Sequence, residues 1–158
     1  MDYFYNHSPK EDQIALLKFQ IELALEHDLP LSFHVRGAYD DFWPIFDSYK
    51  GARGVLHSFT DSIENMKKAT DRGLKIGVNG IATFSKSDEQ RTMYRNIPNS
   101  SLVLETDAPF LTPIPFRGKV CGPGHVRLVA EHLAKVRGVK AEELADQTTE
   151  NAIKLFGI

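Results

Sequence analysis

Leu31-Ser32-Phe33-His34, Gly54-Val55-Leu56-His57 and Leu102-Val103-Leu104-Glu105-Thr106-Asp107 are three short apolar runs, and each delivers a histidine or an acid at its C-terminal end. Buried strands that end in such side chains and hand over to a helix are how α/β barrels assemble metal sites from separate strands. The sequence around them alternates accordingly. Ser8-Pro9-Lys10-Glu11 reads as a helix start, with Ser8 as N-cap and Glu11 closing a capping box. Ile14, Leu17, Ile21, Ala24 and Leu25 then recur at helical spacing and predict one buried face. Asp28-Leu29-Pro30 ends that helix, and a strand follows through about Val35.

The pattern repeats downstream. A helix around Tyr39 to Tyr49 leads through Gly51 to the strand ending at His57, and Asp61 with Glu64 predicts a second N-terminal box for a helix stopping near Gly73. Leu74 to Val78 reads as a strand, and the polar stretch from Ser85 to Arg95 as a short helix. Pro123 opens a helix in which Val126, Val129, Leu133 and Val136 share a face, and a last helix runs from about Ala141 to Phe156. Strand-helix alternation with short apolar strands predicts a parallel sheet. Four strands are visible, which local pattern assigns equally to an open sheet or to part of a closed barrel.

At 158 residues the chain is long enough for one domain but short for a complete (β/α)8 barrel, which needs roughly 250 residues. A formal net charge of −2 gives no global basic field, which counts against a reader of DNA sequence but not against a nuclease whose positive charge comes from bound metal. Cys121 stands alone, which excludes an internal disulfide and a cysteine-cluster zinc site. No apolar run has spanning length, and Met1-Asp2-Tyr3-Phe4 lacks the basic start and apolar stretch of a signal peptide, so the expected setting is the reduced cytoplasm, with no membrane partner.

His34, His57 and Asp107 each have an ordinary reading on their own: a hydrogen-bonded pocket histidine for the first two, a turn cap for Asp107 before Ala108-Pro109. Together they occupy one layer at the strand ends. Two imidazoles and a carboxylate suit a borderline divalent ion, or a hydrolytic centre in which metal lowers the pKa of bound water.

These same residues carry a family resemblance. Leu29-Pro30-Leu31-Ser32-Phe33-His34-Val35-Arg36, Val55-Leu56-His57-Ser58-Phe59 and Leu104-Glu105-Thr106-Asp107-Ala108-Pro109 resemble the TatD-type metal-dependent deoxyribonucleases. The likeness continues in Gly77 to Phe84, Ile97-Pro98 and Asn151-Ala152, in order along the whole chain. It implies a (β/α)8 barrel with a two-metal site that hydrolyses DNA phosphodiesters, in single strands or from 3′ ends. The resemblance assigns His34 and His57 to one metal and Asp107 to the other. Asp107 also positions or deprotonates the attacking water, and Glu105 supports the same centre. Arg36 and Ser58, beside these ligands, are candidate phosphate contacts, with solvated or capping roles as the equal alternative. Zinc, magnesium and manganese are not distinguished.

The family pattern also contains an early His-x-His pair and a glutamate in Gly-Glu-Ile-Gly-Leu-Asp, and Met1-Asp2-Tyr3 aligns with the Leu-Asp-Tyr that ends that motif. The chain therefore reads as the C-terminal half of the barrel, one partial domain over residues 1–158, from a truncated gene model or a fragment. On that reading the 158 residues alone hydrolyse DNA weakly or not at all, and their open strand edges favour self-association. Asp61 and Cys121-Gly122-Pro123 depart from the family's usual glycine and Asn-Glu-Pro. Two other functions stay open: a catalytically silent half-barrel serving self-association, and an amidohydrolase-like hydrolase of a small substrate.

Overall fold

Alternating helical and strand periodicities resolve into four parallel strands with helices between them. A computed structural model describes residues 1–5 and 7–158. Helix α1 (Lys10–Glu26) precedes β1 (Leu31–Phe33), α2 (Tyr39–Ser48), β2 (Gly54–Leu56), α3 (Ile63–Asp71) and β3 (Lys75–Val78). Two short helices, α4 (Ile81–Phe84) and α5 (Asp88–Asn96), lead to β4 (Leu102–Leu104), and α6 (Val126–Arg137) and α7 (Ala141–Phe156) follow. The sheet order is β1-β2-β3-β4, every pair parallel. This is the expected α/β arrangement with right-sized crossovers.

Differences from expectation lie at the caps. Pro9, not Ser8, is the N-cap of α1, and no side chain caps that end. Ser8 instead offers its carbonyl to the Gln13 side-chain amide, which also holds the Asp2 carbonyl, so the N-terminal segment competes for the capping groups. For α3 the cap is Ser62, whose hydroxyl accepts from the Asn65 amide at 3.1 Å. Asp61 accepts from the Ser62 amide and the Asn65 side chain, so it orders the cap rather than being it. Pro123 opens a 3₁₀ turn (Pro123–His125) before α6 begins.

Side chains from β1, β2 and β3 that point toward the helices build the main core. Phe33, Leu56, Ile76 and Val78 meet Ile21 of α1, Phe42 and Phe46 of α2, Met66 of α3 and Leu133 of α6. Phe33 sits edge-on against Phe42 at 5.3 Å and Phe46 at 5.7 Å, arrangements that aromatic quadrupoles favour. Burying such a ring contributes roughly 1.5–3 kcal/mol. Alternate strand residues face the other side, where Val55 and Val103 pack on Leu155 of α7. Leu17, Ile21 and Ala24 of α1 are buried as expected; Leu25 is not, because it lies on the flank of the helix.

The sheet's two outer edges are each partly satisfied. Beside β1, Asp2 bridges Arg36 in parallel, with Tyr3 N–H donating to the Arg36 carbonyl and Arg36 N–H to the Met1 carbonyl. At β4, buried Asn151 donates its side-chain amide to the carbonyls of Asn99 (2.6 Å) and Leu102 (2.8 Å). No helix is long and apolar enough to cross a membrane, among the described residues. Asn151→Leu removes both bonds and leaves the Leu102 carbonyl buried and unpaired, so thermal or denaturant unfolding should show a loss of about 1–3 kcal/mol. An unchanged midpoint would mean that α7 is not tied to β4 through this amide.

Candidate active site

Extending the strand ladders by one residue brings the chemistry together. Phe33 pairs with Leu56, so His34 stands beside His57; Leu56 pairs with Ile76, so Gly77 is next in the row. The continuation is supported by His57 N–H bonding the Phe33 carbonyl and Phe59 N–H the Gly77 carbonyl, both at 2.9 Å. Period-two alternation then puts His34, His57, Asn79 and Glu105 on the face that carries Val55 and Val103.

Gly77 decides what Glu105 can reach. A Cβ on Gly77 would lie 2.7–2.9 Å from the Glu105 carboxylate, closer than atoms can pack. Without it, Glu105 crosses from β4 over β3 to the His57 Nδ1, 3.0 Å away, and also accepts from the Ser58 amide. The opposite ring nitrogen, Nε2, faces Asp107 Oδ1 at 3.4 Å. The hydrogen bond to Glu105 raises the His57 pKa, against partial burial that lowers it, and the charges of Glu105 and Asp107 add to the rise.

His34 has its own carboxylate. Its Nε2 lies 3.1 Å from Asp2 Oδ2, and the same oxygen accepts from Arg36 Nε at 2.9 Å. Burial pushes the Asp2 pKa up, but hydrogen bonds from Arg36 and His34 outweigh it and hold the carboxyl well below the usual range. Ser58 takes positive φ (+52°), uncommon outside glycine and costly enough to mark a constrained site. Its hydroxyl accepts from buried Asn79 at 2.8 Å, which leaves its own proton to donate. His34, Arg36, His57, Ser58 and Asp107 line one hollow of about 370 Å³. Wider hollows of 410 and 530 Å³ elsewhere carry no comparable donor set.

The sequence residues therefore converge on one hollow. Each histidine faces a carboxylate, His34 toward Asp2 and His57 toward Glu105 and Asp107, while the two imidazole centroids are 6.2 Å apart. No group of three or more His, Cys, Asp or Glu side chains is arranged to enclose a metal ion among the described residues. Glu105 sits on the Nδ1 side of the ring and cannot share an ion held at Nε2. His57 Nε2 and Asp107 fit as two donors to one ion, since ligands at 2.0–2.2 Å in tetrahedral geometry lie roughly 3.3 Å apart. Glu105 then occupies the orienting position behind a ligating histidine. Sequence reading missed Asp2, Asn79 and Gly77 as site residues; a glycine and an amide at alternate positions of an apolar strand were the available signal.

The fold and site together are those of a parallel α/β sheet whose strand ends present carboxylate-backed histidines toward one hollow. The profile of the TatD related DNase family matches residues 1–157, and the chain belongs to that family. It is 38% identical over 160 residues to the uncharacterized metal-dependent hydrolase YabD of Bacillus subtilis, covering all of this chain and 63% of that one. It is 33% identical over 167 residues to the 3′-5′ ssDNA/RNA exonuclease TatD of Salmonella typhimurium, covering all of this chain and 64% of the other. The crystal structure of YJJV, a TatD homolog from Escherichia coli, superposes with a TM-score of 0.91 at 30% identity, over 100% of this chain and 61% of that one. The chain thus spans less than two thirds of the length of these relatives.

His57 provides a direct check of the geometry. Its folded pKa is raised above the ordinary value of about 6.5, so the stability it contributes is fully present below that value. That contribution is lost as pH rises through the elevated folded pKa. An NMR titration in chelator should place His57 above 6.5, and Glu105→Gln should lower it and flatten the pH dependence of unfolding. A His57 that titrates at or below 6.5 would refute the Glu105 contact.

Proposed function

We propose that this chain carries part of the active site of a TatD-type metal-dependent hydrolase that cleaves phosphodiester bonds of nucleic acid, with single-stranded DNA or 3′ ends as substrate. The observation that carries the reading is His57, backed by Glu105 at 3.0 Å and facing Asp107 at 3.4 Å, in the hollow at the strand ends. Membership of a DNase family and the exonuclease name of the Salmonella relative support it.

Divalent ions bound here, two in the intact site, supply Lewis acidity and water of lowered pKa. His57 and Asp107 would hold one ion, and His34 would contribute to the second from β1. Glu105 fixes the His57 ring and its tautomer. Asp107, partly exposed to the hollow, accepts the proton of the attacking water as its oxygen bonds phosphorus and the sugar oxygen departs. Arg36 and Ser58 contact the phosphate: the Arg36 side chain stays partly exposed despite its bonds to Asp2, and the Ser58 hydroxyl proton is free of Asn79. The setting is cytoplasmic, consistent with the lone buried Cys121.

Three protein ligands are the usual minimum for a catalytic ion, and this chain offers fewer at each position. The 158 residues alone therefore bind metal weakly and hydrolyse DNA poorly. Calorimetry with Zn²⁺ and Mn²⁺ should show weak binding that His57→Ala abolishes. In an enzyme joined to the remaining barrel segment of a relative, Asp107→Asn should cost orders of magnitude in turnover without altering the far-UV spectrum. Robust cleavage by the 158-residue chain that survives Asp107→Asn would overturn the assignment.

Self-association is a second proposal, favoured by an apolar stripe on α1 in which Leu16, Phe19 and Leu23 stand exposed. On this proposal a second copy covers that stripe. Sedimentation at low micromolar concentration should show a dimer, and Phe19→Glu should release monomer; a wild-type monomer would exclude it.

A further inference from the structure

We propose that Phe110 is a stacking platform for a nucleobase of the substrate strand, a proposal that rests on the nucleic-acid reading above. Phe110 is 68% exposed, yet it lines the same hollow as His34, His57 and Asp107. It follows Asp107 by three residues, and its amide donates to the Asp107 carbonyl at 2.7 Å. The backbone that carries the ring is thus tied directly to a residue of the proposed reaction centre.

Its backbone is held firmly for an exposed residue. Leu111, the next residue, takes φ +53°, a conformation that a branched side chain rarely adopts. The Leu111 carbonyl presses on Gly80, where a Cβ would lie only 2.0 Å from that oxygen. Beyond it, Thr112 is buried with its hydroxyl donating to the Lys119 carbonyl, and Ile114 N–H donates to Thr83 Oγ1 at 3.0 Å. Cys121 N–H closes the loop onto the Pro109 carbonyl at 3.0 Å. Strained, well-tied backbone displaying an unpacked large ring is the arrangement of a rigid binding anchor.

The neighbouring aromatics are occupied. Arg117 lies 3.4 Å over the Phe84 ring, Phe116 meets His125 at 5.6 Å, and Arg36 lies 4.3 Å over Tyr5. Among the described residues no aromatic ring or cation stacks on Phe110. A planar base is the ligand that matches a free ring face lining the same hollow as the proposed phosphate contacts, because every base presents a π-face. The contact is tolerant of base identity and reports the presence of a base.

Fluorescence anisotropy on the 158-residue chain tests this, using labelled single-stranded oligothymidylate and the same oligomer made abasic, with probe integrity checked on a gel. Phe110→Ala should weaken oligothymidylate binding roughly 5- to 150-fold. Phe110→Trp should retain wild-type affinity, and the abasic oligomer should bind wild type and Phe110→Ala alike. Equal losses for both oligomers, or no loss for either, would overturn the platform while leaving the nucleic-acid reading intact. Absence of binding to either oligomer by wild type would overturn both. The unfolding midpoint of Phe110→Ala should match wild type, because the ring is not packed in the core.

Discussion

The contact between Glu105 and His57 across Gly77 organises the site. Three strands contribute to it: the acid from β4, the imidazole after β2, and the empty space on β3 between them. A side chain at position 77 would occupy the volume through which the carboxylate passes. With that volume free, one oxygen of Glu105 takes both the His57 ring and the Ser58 amide, fixing the histidine and the turn that follows it. His57 then turns Nε2 toward Asp107, so an interaction at one ring nitrogen sets what the other can do.

Asp2 does the same work at the other end of the sheet. Its Oδ2 faces His34 and Arg36, while its Oδ1 accepts from the Phe4 amide at 2.9 Å. The segment carrying it pairs with the residues just beyond β1, so a parallel bridge brings the carboxylate alongside His34. The repeated device, a carboxylate beside each histidine, keeps both imidazoles oriented. Among the described residues no buried side-chain nitrogen or oxygen lacks a hydrogen-bond partner.

The main core supports this layer on the face opposite the hollow. The aromatic group of Phe33, Phe42 and Phe46 and the aliphatic side chains around Met66 hold β1 and β2 in register. Register matters because a slip of one residue would turn His34 and His57 toward the helices and Phe33 and Leu56 toward the hollow. The burial of those apolar residues therefore specifies the direction of the ligands as well as contributing to stability.

The four strands, their parallel direction and the last helix, Ala141–Phe156, were legible in the sequence because apolar periodicity and strand-helix alternation are local signals. His34, His57, Glu105 and Asp107 were legible as strand-end residues for the same reason. Caps were read less well: Ser8 and Asp61 yielded to Pro9 and Ser62, since a cap depends on which nearby groups compete for the same amides. The partner of each histidine belonged to tertiary structure alone. Asp2 reaches His34 across 32 residues, and Glu105 reaches the Ser58 amide beside His57 across 47, distances over which no periodicity in the chain carries information. Sequence determined which side chains stand at the mouth of the sheet; strand register and the missing Cβ of Gly77 decided which of them touch.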